Sequence, residues 1–271
     1  MKISAVILSF NSNRTLGRCL DQILGTLPEF GSESEVFVVD NGSTDGSVET
    51  IERLAKTHGE LLKPILFSEN TGTTFSRNAA LKRAIGDYII VLDSDAYVSN
   101  DSLKELINYL EKNPSTGLVT PRLIFEDGRF QLSVDKFPTI VRKFQRFFFL
   151  RKIESRSHSM ETLIEPIDVD YAISAFWVIR RNAFERVGLF DEKIFYSPED
   201  VDYCIRMWSA GYKITYVPNA KVIHDAQELS RGFKLSKFHF SHLKGLFYLF
   251  KKHKYIFGLS RLYKRIKRHK I

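Results

Sequence analysis

The stretch Tyr88-Ile89-Ile90-Val91-Leu92-Asp93-Ser94-Asp95 indicates the fold class of this chain. An uninterrupted run of apolar and aromatic residues leads into an Asp-Ser-Asp turn, which is typical of a strand covered on both faces in a parallel sheet. A helix is predicted next, because Ser102 and Glu105 have capping-box spacing and apolar residues recur at helical period: Leu103, Leu106, Ile107 and Leu110. A buried strand followed by a helix is one βα unit of an α/β protein.

The same unit is indicated three times earlier in the chain. Apolar strands are predicted at residues 3–8, 36–39 and 65–67, and each precedes a polar loop and a helix. Four units in succession predict an α/β/α sandwich with a mostly parallel, doubly wound sheet. After residue 120 the alternation stops, and a hairpin is predicted around the turn Glu126-Asp127-Gly128-Arg129.

This organisation predicts one α/β body over residues 1–230, with halves 1–120 and 121–230, and a helical tail over 231–271. The tail holds 13 of the 40 Lys and Arg residues and none of the 32 Asp and Glu residues, whereas the net charge of the whole chain is +8. Nine aromatic residues are interleaved with these cations, and the segment 136–165 is also basic and aromatic.

Two interpretations of the tail stay open at the level of sequence. A basic, aromatic helix suits an anionic membrane surface. Alternatively, a pair of helices packs its aromatic residues on the body while its cations are solvated. We do not expect a nucleic-acid partner, although the composition of the tail would also suit RNA.

Composition and cysteine usage exclude several classes of protein. With 44% hydrophobic and 27% charged residues, the 271-residue chain can bury a full core, which excludes global disorder. Its two cysteines, Cys19 and Cys204, form no Cys-x-x-Cys pair and favour a reducing compartment. We expect no signal peptide, and no membrane-spanning helix because no apolar stretch reaches about 18 residues. The sequence therefore predicts a cytoplasmic protein, soluble or peripheral on the cytoplasmic face of the membrane.

Polar residues follow the predicted strands at the edge where parallel sheets bind their ligands: Ser9, Asn11, Asp40, Asn70, Asp93 and Asp95. Carboxylates crowded at the end of a buried strand are costly without a cation. Mg2+ or Mn2+ held by such carboxylates takes further oxygen ligands from water and substrate phosphates. A divalent metal and a diphosphate substrate are therefore predicted, although an Asp-x-Asp triplet alone is a weak signal because short acidic turns are common.

Several motifs in order give the chain a specific resemblance. They are Val6-Ile7-Leu8-Ser9-Phe10-Asn11, Val39-Asp40-Asn41-Gly42-Ser43-Thr44-Asp45-Gly46, Asn70-Thr71-Gly72 with Arg77-Asn78, Leu92-Asp93-Ser94-Asp95-Ala96, the stretch 180–192, Glu199-Asp200-Val201-Asp202 and Gly211-Tyr212. Over approximately residues 3–225 the chain resembles the family 2 inverting glycosyltransferases with a GT-A fold, particularly their rhamnosyltransferase-like branch. The resemblance implies that residues 1–120 bind a nucleotide-sugar and that 121–230 carry the acceptor and catalytic half.

The resemblance also implies roles at the donor site. Ser9, Asn11 and the carboxylate of Asp40 would hold the nucleobase and ribose. Arg77 would lie near the base or the phosphates. Because Ser174-Ala175 replaces a segment in which relatives commonly have glycine, and residues 70–76 are unusually polar, the donor sugar does not follow from the resemblance.

Three residues are implied at the metal. Asp93 would face the ribose and the metal, and Asp95 would be the direct ligand between metal and diphosphate. His224 matches a histidine that approaches the metal or phosphates in some relatives, and its alternative interpretation is a histidine that caps a strand end.

The family assigns the catalytic base to the Asp of its Glu-Asp motif, here Asp200, and Glu199 is the reserve candidate. Inverting sugar transfer needs a carboxylate to take the proton of the acceptor hydroxyl while a metal neutralises the departing diphosphate. The alternative is that both acidic residues only favour the positive N-terminus of the helix that follows. Asp202 is expected to orient a neighbouring side chain.

We therefore expect transfer of a sugar from a nucleoside diphosphate donor, dTDP-rhamnose or a UDP-hexose, to a glycan or lipid-linked acceptor. A nucleotidyltransferase is the alternative enzyme, although no Walker-type loop is present. An inactive scaffold that binds lipid or nucleic acid is the alternative without catalysis. The sequence does not indicate an oligomeric state.

Overall fold

A computed structural model of the chain describes residues 1–140, 159–226 and 237–267. The strands are β1 (Ile3–Ser9), β2 (Glu35–Asn41), β3 (Leu62–Phe67), β4 (Tyr88–Asp93), β5 (Ala96–Val98), β6 (Thr116–Ile124), β7 (Phe130–Gln131), β8 (Val134–Asp135), β9 (Ile167–Asp168), β10 (Tyr171–Ala172), β11 (Phe176–Arg180) and β12 (Lys213–His224). The α-helices are α1 (Asn13–Thr26), α2 (Ser47–His58), α3 (Thr73–Leu81), α4 (Asn100–Lys112), α5 (Arg181–Val187), α6 (Glu199–Ser209), α7 (Lys237–His253) and α8 (Ser260–Lys267).

The main sheet has the strand order β3-β2-β1-β4-β11-β6-β12-β5 within the described residues. Strands β3, β2, β1 and β4 are mutually parallel, as the repeated βα units predict. Strand β11 runs antiparallel between β4 and β6, whereas β12 is parallel to β6. The α/β class is therefore confirmed, with a mixed second half, and the predicted hairpin forms where β7 pairs with β6.

Both faces of this sheet are covered. Along β4, Ile90 and Leu92 face a core shared with α1, α2 and α4, whereas Ile89 and Val91 face a core shared with α3, α5 and α6. Because successive side chains of a strand point to opposite faces, a strand covered on both sides has to be apolar throughout. This is why the stretch 88–92 reads as a continuous apolar run.

The start of α4 corrects the predicted capping box. The N-cap is Ser99, whose side chain accepts a hydrogen bond from the backbone nitrogen of Ser102 at 3.3 Å. The hydroxyl of Ser102 instead donates to the carbonyl oxygen of Lys221 in β12 at 2.7 Å. The prediction that Ser102 is the N-cap is wrong, because the hydroxyl of Ser102 bonds to β12 and the N-cap, Ser99, lies three residues earlier.

The tail packs on the body along part of its surface. Residues of α7, α8 and the loop between them lie in the same hydrophobic cluster as α6: Leu246, Leu249, Phe250, Tyr255, Leu262 and Ile266. Other apolar residues of this segment are exposed: Leu243, Phe247, Ile256 and Phe257. Residues 231–236 and 268–271 of the predicted tail, and 141–158 of the basic aromatic segment, lie outside the described residues.

Among the helices that the structure describes, none is both long enough and apolar enough to cross a lipid bilayer.

Candidate active site

A pocket opens at the carboxyl ends of β1, β2 and β4 and extends to the start of α6. It brings together six of the predicted site residues: Arg77, Asp93, Asp95, Glu199, Asp200 and His224. Ser9, Asn11 and Asp40 are not among the residues that line it. The two predicted carboxylate loci, 93–95 and 199–200, thus face one space.

The first locus is a possible metal site of two carboxylates and one imidazole. Asp93, Asp95 and His224 each offer a ligand atom, and these atoms lie within 4.8 Å of one another. Nε2 of His224 is 3.3 Å from Oδ1 of Asp95 and 4.0 Å from Oδ2 of Asp93. His224 reaches this place because β12 pairs with β5, which sets His224 opposite Ala96. A mixed oxygen and nitrogen donor set fits Mn2+ well, whereas Mg2+ prefers oxygen alone.

The hydrogen bond at the other nitrogen orients the His224 ring. Nδ1 lies 2.8 Å from Oε1 of Gln131 in β7, so an Nδ1–H group can donate to the amide oxygen while Nε2 faces Asp95. Burial lowers the pKa of His224, but its hydrogen bond to Asp95 and the nearby aspartate charges outweigh burial and raise the pKa above its ordinary value. The cluster therefore favours a positive charge at this position.

The guanidinium of Arg77 is buried behind this locus, with only 1% of the side chain exposed. Nη2 donates to Oδ1 of Asp93 at 2.5 Å, and Nη1 donates to Oγ of Ser174 at 2.7 Å. Nη1 also lies 3.4 Å from Oε1 of Glu199. Arg77 therefore links the two carboxylate loci through one rigid cation.

Burial and charge also shape the second locus. Glu199 begins α6, is 7% exposed, and accepts a hydrogen bond from Oγ of Ser174 at 3.0 Å. Burial, followed by the negative charge of Asp200, raises the pKa of Glu199 to about 8. Oδ1 of Asp200 accepts a hydrogen bond from the backbone nitrogen of Val201 at 2.7 Å, and the residue is partly exposed to the pocket. At neutral pH, Glu199 thus carries a proton beside a pocket-facing Asp200.

The residues predicted for the nucleobase stabilise a neighbouring loop. The fully buried carboxylate of Asp40 accepts hydrogen bonds from the backbone nitrogen and the hydroxyl of Ser43, at 2.8 and 2.6 Å. Oδ1 of Asn11 accepts from the backbone nitrogen of Thr44 at 2.8 Å. Ser9 is fully buried at the end of β1.

Asn70 lines the pocket, as its predicted place at the ligand-binding edge requires, but sequence reasoning missed other lining residues. Asn41 also lines the pocket, with its Nδ2 donating to Oδ1 of Asn70 at 3.0 Å. Its signal was its position at the end of β2, directly after Asp40. Phe195 and Tyr196 also line the pocket, and their only local signal was a place shortly before Glu199.

The mixed α/β sheet, with one carboxylate locus at the end of β4 and the other at the start of α6, has the fold of the GT-A glycosyltransferases. The crystal structure of GalNAc-T7 with UDP, GalNAc and Mn2+ matches with a TM-score of 0.70 and 19% identity, covering 99% of this chain and 54% of that one. This likeness confirms the fold.

The family follows from the sequence match. The model of glycosyl transferase family 2 matches residues 4–188, and the chain belongs to that family. N-acetylglucosaminyl-diphospho-decaprenol L-rhamnosyltransferase of Mycobacterium tuberculosis is 29% identical over 205 residues, which cover 70% of this chain and 66% of that protein. Rhamnosyltransferase WbbL of Escherichia coli K12 is 33% identical over 164 residues, covering 59% of this chain and 60% of that protein. The match thus spans slightly less than two thirds of these relatives.

Proposed function

We propose that this chain is a metal-dependent inverting glycosyltransferase that moves a sugar from a nucleoside diphosphate donor to a hydroxyl of a glycan or lipid-linked acceptor. The observation that carries the proposal is the meeting, in one pocket of a family 2 chain, of the Asp93, Asp95 and His224 cluster with Glu199 and Asp200. The names of the relatives favour rhamnose as the sugar and a diphosphate-linked lipid as the acceptor. The donor is then dTDP-rhamnose, with a UDP-hexose as the second candidate.

Asp95, Asp93 and His224 would hold Mg2+ or Mn2+ in this proposal, and the cation would supply positive charge against the charge that develops on the departing diphosphate. Arg77 holds Oδ1 of Asp93 by a hydrogen bond from the protein interior, which leaves Oδ2 of this carboxylate facing His224. Asn11 and Asp40 support the nucleobase and ribose end through the loop at Ser43 and Thr44, and Ser9 pairs with Asp40 across the sheet. Asn41 and Asn70 offer amide groups in the pocket itself.

Asp200 is the proposed base. The acceptor oxygen attacks the anomeric carbon, its proton passes to the carboxylate of Asp200, and the bond between the anomeric carbon and the diphosphate oxygen breaks to release nucleoside diphosphate. A protonated Glu199 cannot accept this proton, which is why its raised pKa favours Asp200. Glu199 instead supports Arg77 and Ser174 at the base of the pocket.

The exposed face of α7 is the proposed contact with an anionic membrane surface, on the cytoplasmic side where a lipid-linked acceptor would be reached. Leu243 and Phe247 are 51% and 68% exposed on this face, and the exposed Lys244 and Lys251 flank them. Apolar side chains bordered by cations, with no acidic residue in 231–271, match the chemistry of an anionic bilayer interface.

Binding of nucleotides tests the donor site directly. UDP, dTDP and GDP are titrated calorimetrically, with and without Mn2+, into the wild-type chain and into Asp95→Ala. Metal-dependent binding of one nucleotide that the variant loses supports the proposal and identifies the base of the donor. Absence of binding by folded protein contradicts it. Release of nucleoside diphosphate during turnover, and not pyrophosphate, excludes the nucleotidyltransferase.

Co-sedimentation with phosphatidylglycerol vesicles tests the membrane contact. The double variant Leu243→Glu and Phe247→Glu is expected to lose binding, because it places acids on the proposed face. Ile85→Glu is the matched control, since Ile85 is 62% exposed but belongs to the loop after α3. Equal sedimentation of wild type and double variant removes the membrane proposal and leaves the enzymatic one intact.

A further inference from the structure

Two adjacent aromatic side chains, at positions 195 and 196, line the pocket shortly before the proposed base at position 200. Phe195 and Tyr196 are each 47% exposed, and both border the same space as Glu199 and Asp200. Aromatic rings have a large apolar surface, and leaving about half of it in water forgoes much of the stabilisation that burial provides. Their exposure at this place points to a ligand that covers them.

The Phe195 side of this pair is attached to the start of α3 and to Gly72, which caps that helix. The backbone nitrogen of Thr73 donates to the carbonyl oxygen of Phe195 at 2.7 Å, and the hydroxyl of Thr74 donates to the carbonyl oxygen of Ile194 at 2.7 Å. The Phe195 ring lies so close to Gly72 that a Cβ there would come within 2.6 Å of the ring. The main chain at Ile194 and Phe195 is therefore held by hydrogen bonds, and the Phe195 ring lies against Gly72.

Helix α7 restrains the segment from the other side. Nδ1 of His242 lies 3.0 Å from Oγ of Ser197, the residue after Tyr196. Gly245 packs against the same residue, since a Cβ on it would lie 2.1 Å from the carbonyl oxygen of Ser197. The two rings thus belong to a segment that is held at both edges, and little conformational entropy remains to be lost when a ligand covers them.

We propose that Phe195 and Tyr196 form the acceptor subsite, on which the C–H face of a pyranose ring of the acceptor stacks. This inference rests on the proposed function. The acceptor hydroxyl has to reach hydrogen-bonding distance of Asp200, and the aromatic pair lies on the segment that leads into that residue. The cluster of Asp93, Asp95 and His224 would instead hold the metal ion that binds the diphosphate. A sugar ring meets both demands of the subsite, because it combines an apolar face with hydroxyl groups at its edge.

Steady-state kinetics on the full chain test the subsite. The donor is the nucleotide-sugar identified by the binding experiment, and the acceptor probe is N-acetylglucosamine linked through diphosphate to a short prenyl chain. Phe195→Ala and Tyr196→Ala are each expected to raise the acceptor KM about 10-fold, the order of one aromatic contact, with kcat changed less than about 2-fold. Phe195→Tyr and Tyr196→Phe should retain the wild-type KM, because each keeps an aromatic ring.

The control is Phe257→Ala, since Phe257 is 75% exposed and does not line the pocket. It should leave the acceptor KM unchanged. Metal-dependent nucleotide binding is measured on every variant. If both alanine variants keep the wild-type acceptor KM and still bind nucleotide, the acceptor subsite is contradicted, whereas the proposed function is not. Weakened nucleotide binding in either variant assigns that ring to the donor and also overturns the subsite. Absence of nucleotide binding by the wild type overturns both proposals.

Discussion

Nε2 of His253 lies 2.7 Å from Oδ1 of Asp202, although 51 residues separate them in sequence. Asp202 is fully buried in α6. Its carboxylate also forms ion pairs with Nζ of Lys252 at 2.6 Å and with Nε of Arg206 at 2.9 Å. Burial opposes ionisation, but these partners outweigh it and hold the pKa of Asp202 well below its ordinary value. The last turn of α7 is thereby joined to the helix that begins with the proposed catalytic motif.

Asp202→Asn is expected to lower the free energy of unfolding by about 3 kcal/mol at pH 7, because it leaves the cations of α6 and α7 without their shared anion. A depressed folded-state pKa contributes stability above the ordinary aspartate pKa of about 3.9, and this contribution is lost as the pH falls through the folded-state value. The difference between wild type and variant should therefore shrink in acid. Urea unfolding at several pH values measures it.

Neighbouring lysines of α7 provide a matched comparison. Lys252→Ala should destabilise the chain, since Nζ of Lys252 contacts both Asp202 and Asp191 at 2.6 Å. Lys251→Ala should change the unfolding free energy by less than about 0.5 kcal/mol, because Lys251 is exposed. Equal effects of the two substitutions would contradict the structural role of the ion pairs.

Arg77→Lys is expected to reduce both stability and sugar transfer. A lysine ammonium cannot reproduce the fork that reaches Asp93 and Ser174 together, and the buried site would keep carboxylates with fewer partners. We expect a loss of roughly 2 kcal/mol in unfolding free energy, and at least a 10-fold lower kcat at a temperature where the variant is folded. Thermal unfolding and turnover assays measure the two effects. Ser174→Ala, which retains the cation, should be milder in both.

Gln131→Leu should weaken Mn2+ binding about 10-fold, because the hydrogen bond that orients His224 is lost while the three candidate ligands remain. Gln131→Glu keeps an acceptor for the Nδ1–H group and should retain more affinity. Calorimetric titration with Mn2+ in the presence of nucleotide gives both affinities. Wild-type affinity in the leucine variant would show that the ring is oriented by other contacts.

The raised pKa of Glu199 predicts a pH-dependent stability difference. In the folded state the pKa of this carboxyl group is about 8, whereas a glutamate in the unfolded chain has a pKa of about 4.3. Between these two pH values the folded chain holds a proton that the unfolded chain has lost. Its contribution therefore falls as pH rises between those values. Glu199→Gln removes this dependence, so the variant should gain stability relative to wild type from pH 5 to about pH 8. Glu185→Gln, at an exposed site of α5, is the control and should change the unfolding free energy by less than about 0.5 kcal/mol.

Gly245→Ala is expected to displace the segment at Ser197 and lower acceptor turnover, because its Cβ would lie 2.1 Å from a carbonyl oxygen. Gly25→Ala in α1 meets nothing within 4 Å and should stabilise the chain by about 0.5 to 1 kcal/mol. Thermal unfolding combined with acceptor kinetics separates the two positions. A Gly245→Ala chain with wild-type acceptor kinetics would mean that α7 does not position the segment.

The sequence by itself determined the strands of the first half, the place of the Asp-Ser-Asp turn after β4, and membership of glycosyl transferase family 2. These features are encoded in short stretches of sequence. A continuous apolar run indicates a strand buried on both faces, and the loop after such a strand lies at the ligand-binding edge of the sheet. The start of α4 was misplaced because Ser99 and Ser102 both have local capping chemistry, and the partner of Ser102 is in β12.

Only the tertiary structure decided which distant residues meet. The pairing of β12 with β5 sets His224 beside Asp95, and the packing of α3 buries Arg77 between Asp93 and Glu199. Because α7 packs against α6, apolar side chains of the basic tail are buried in the hydrophobic core. These contacts depend on how separately formed elements pack and on which charges burial forces to pair, and neither is encoded in the periodicity of any single segment.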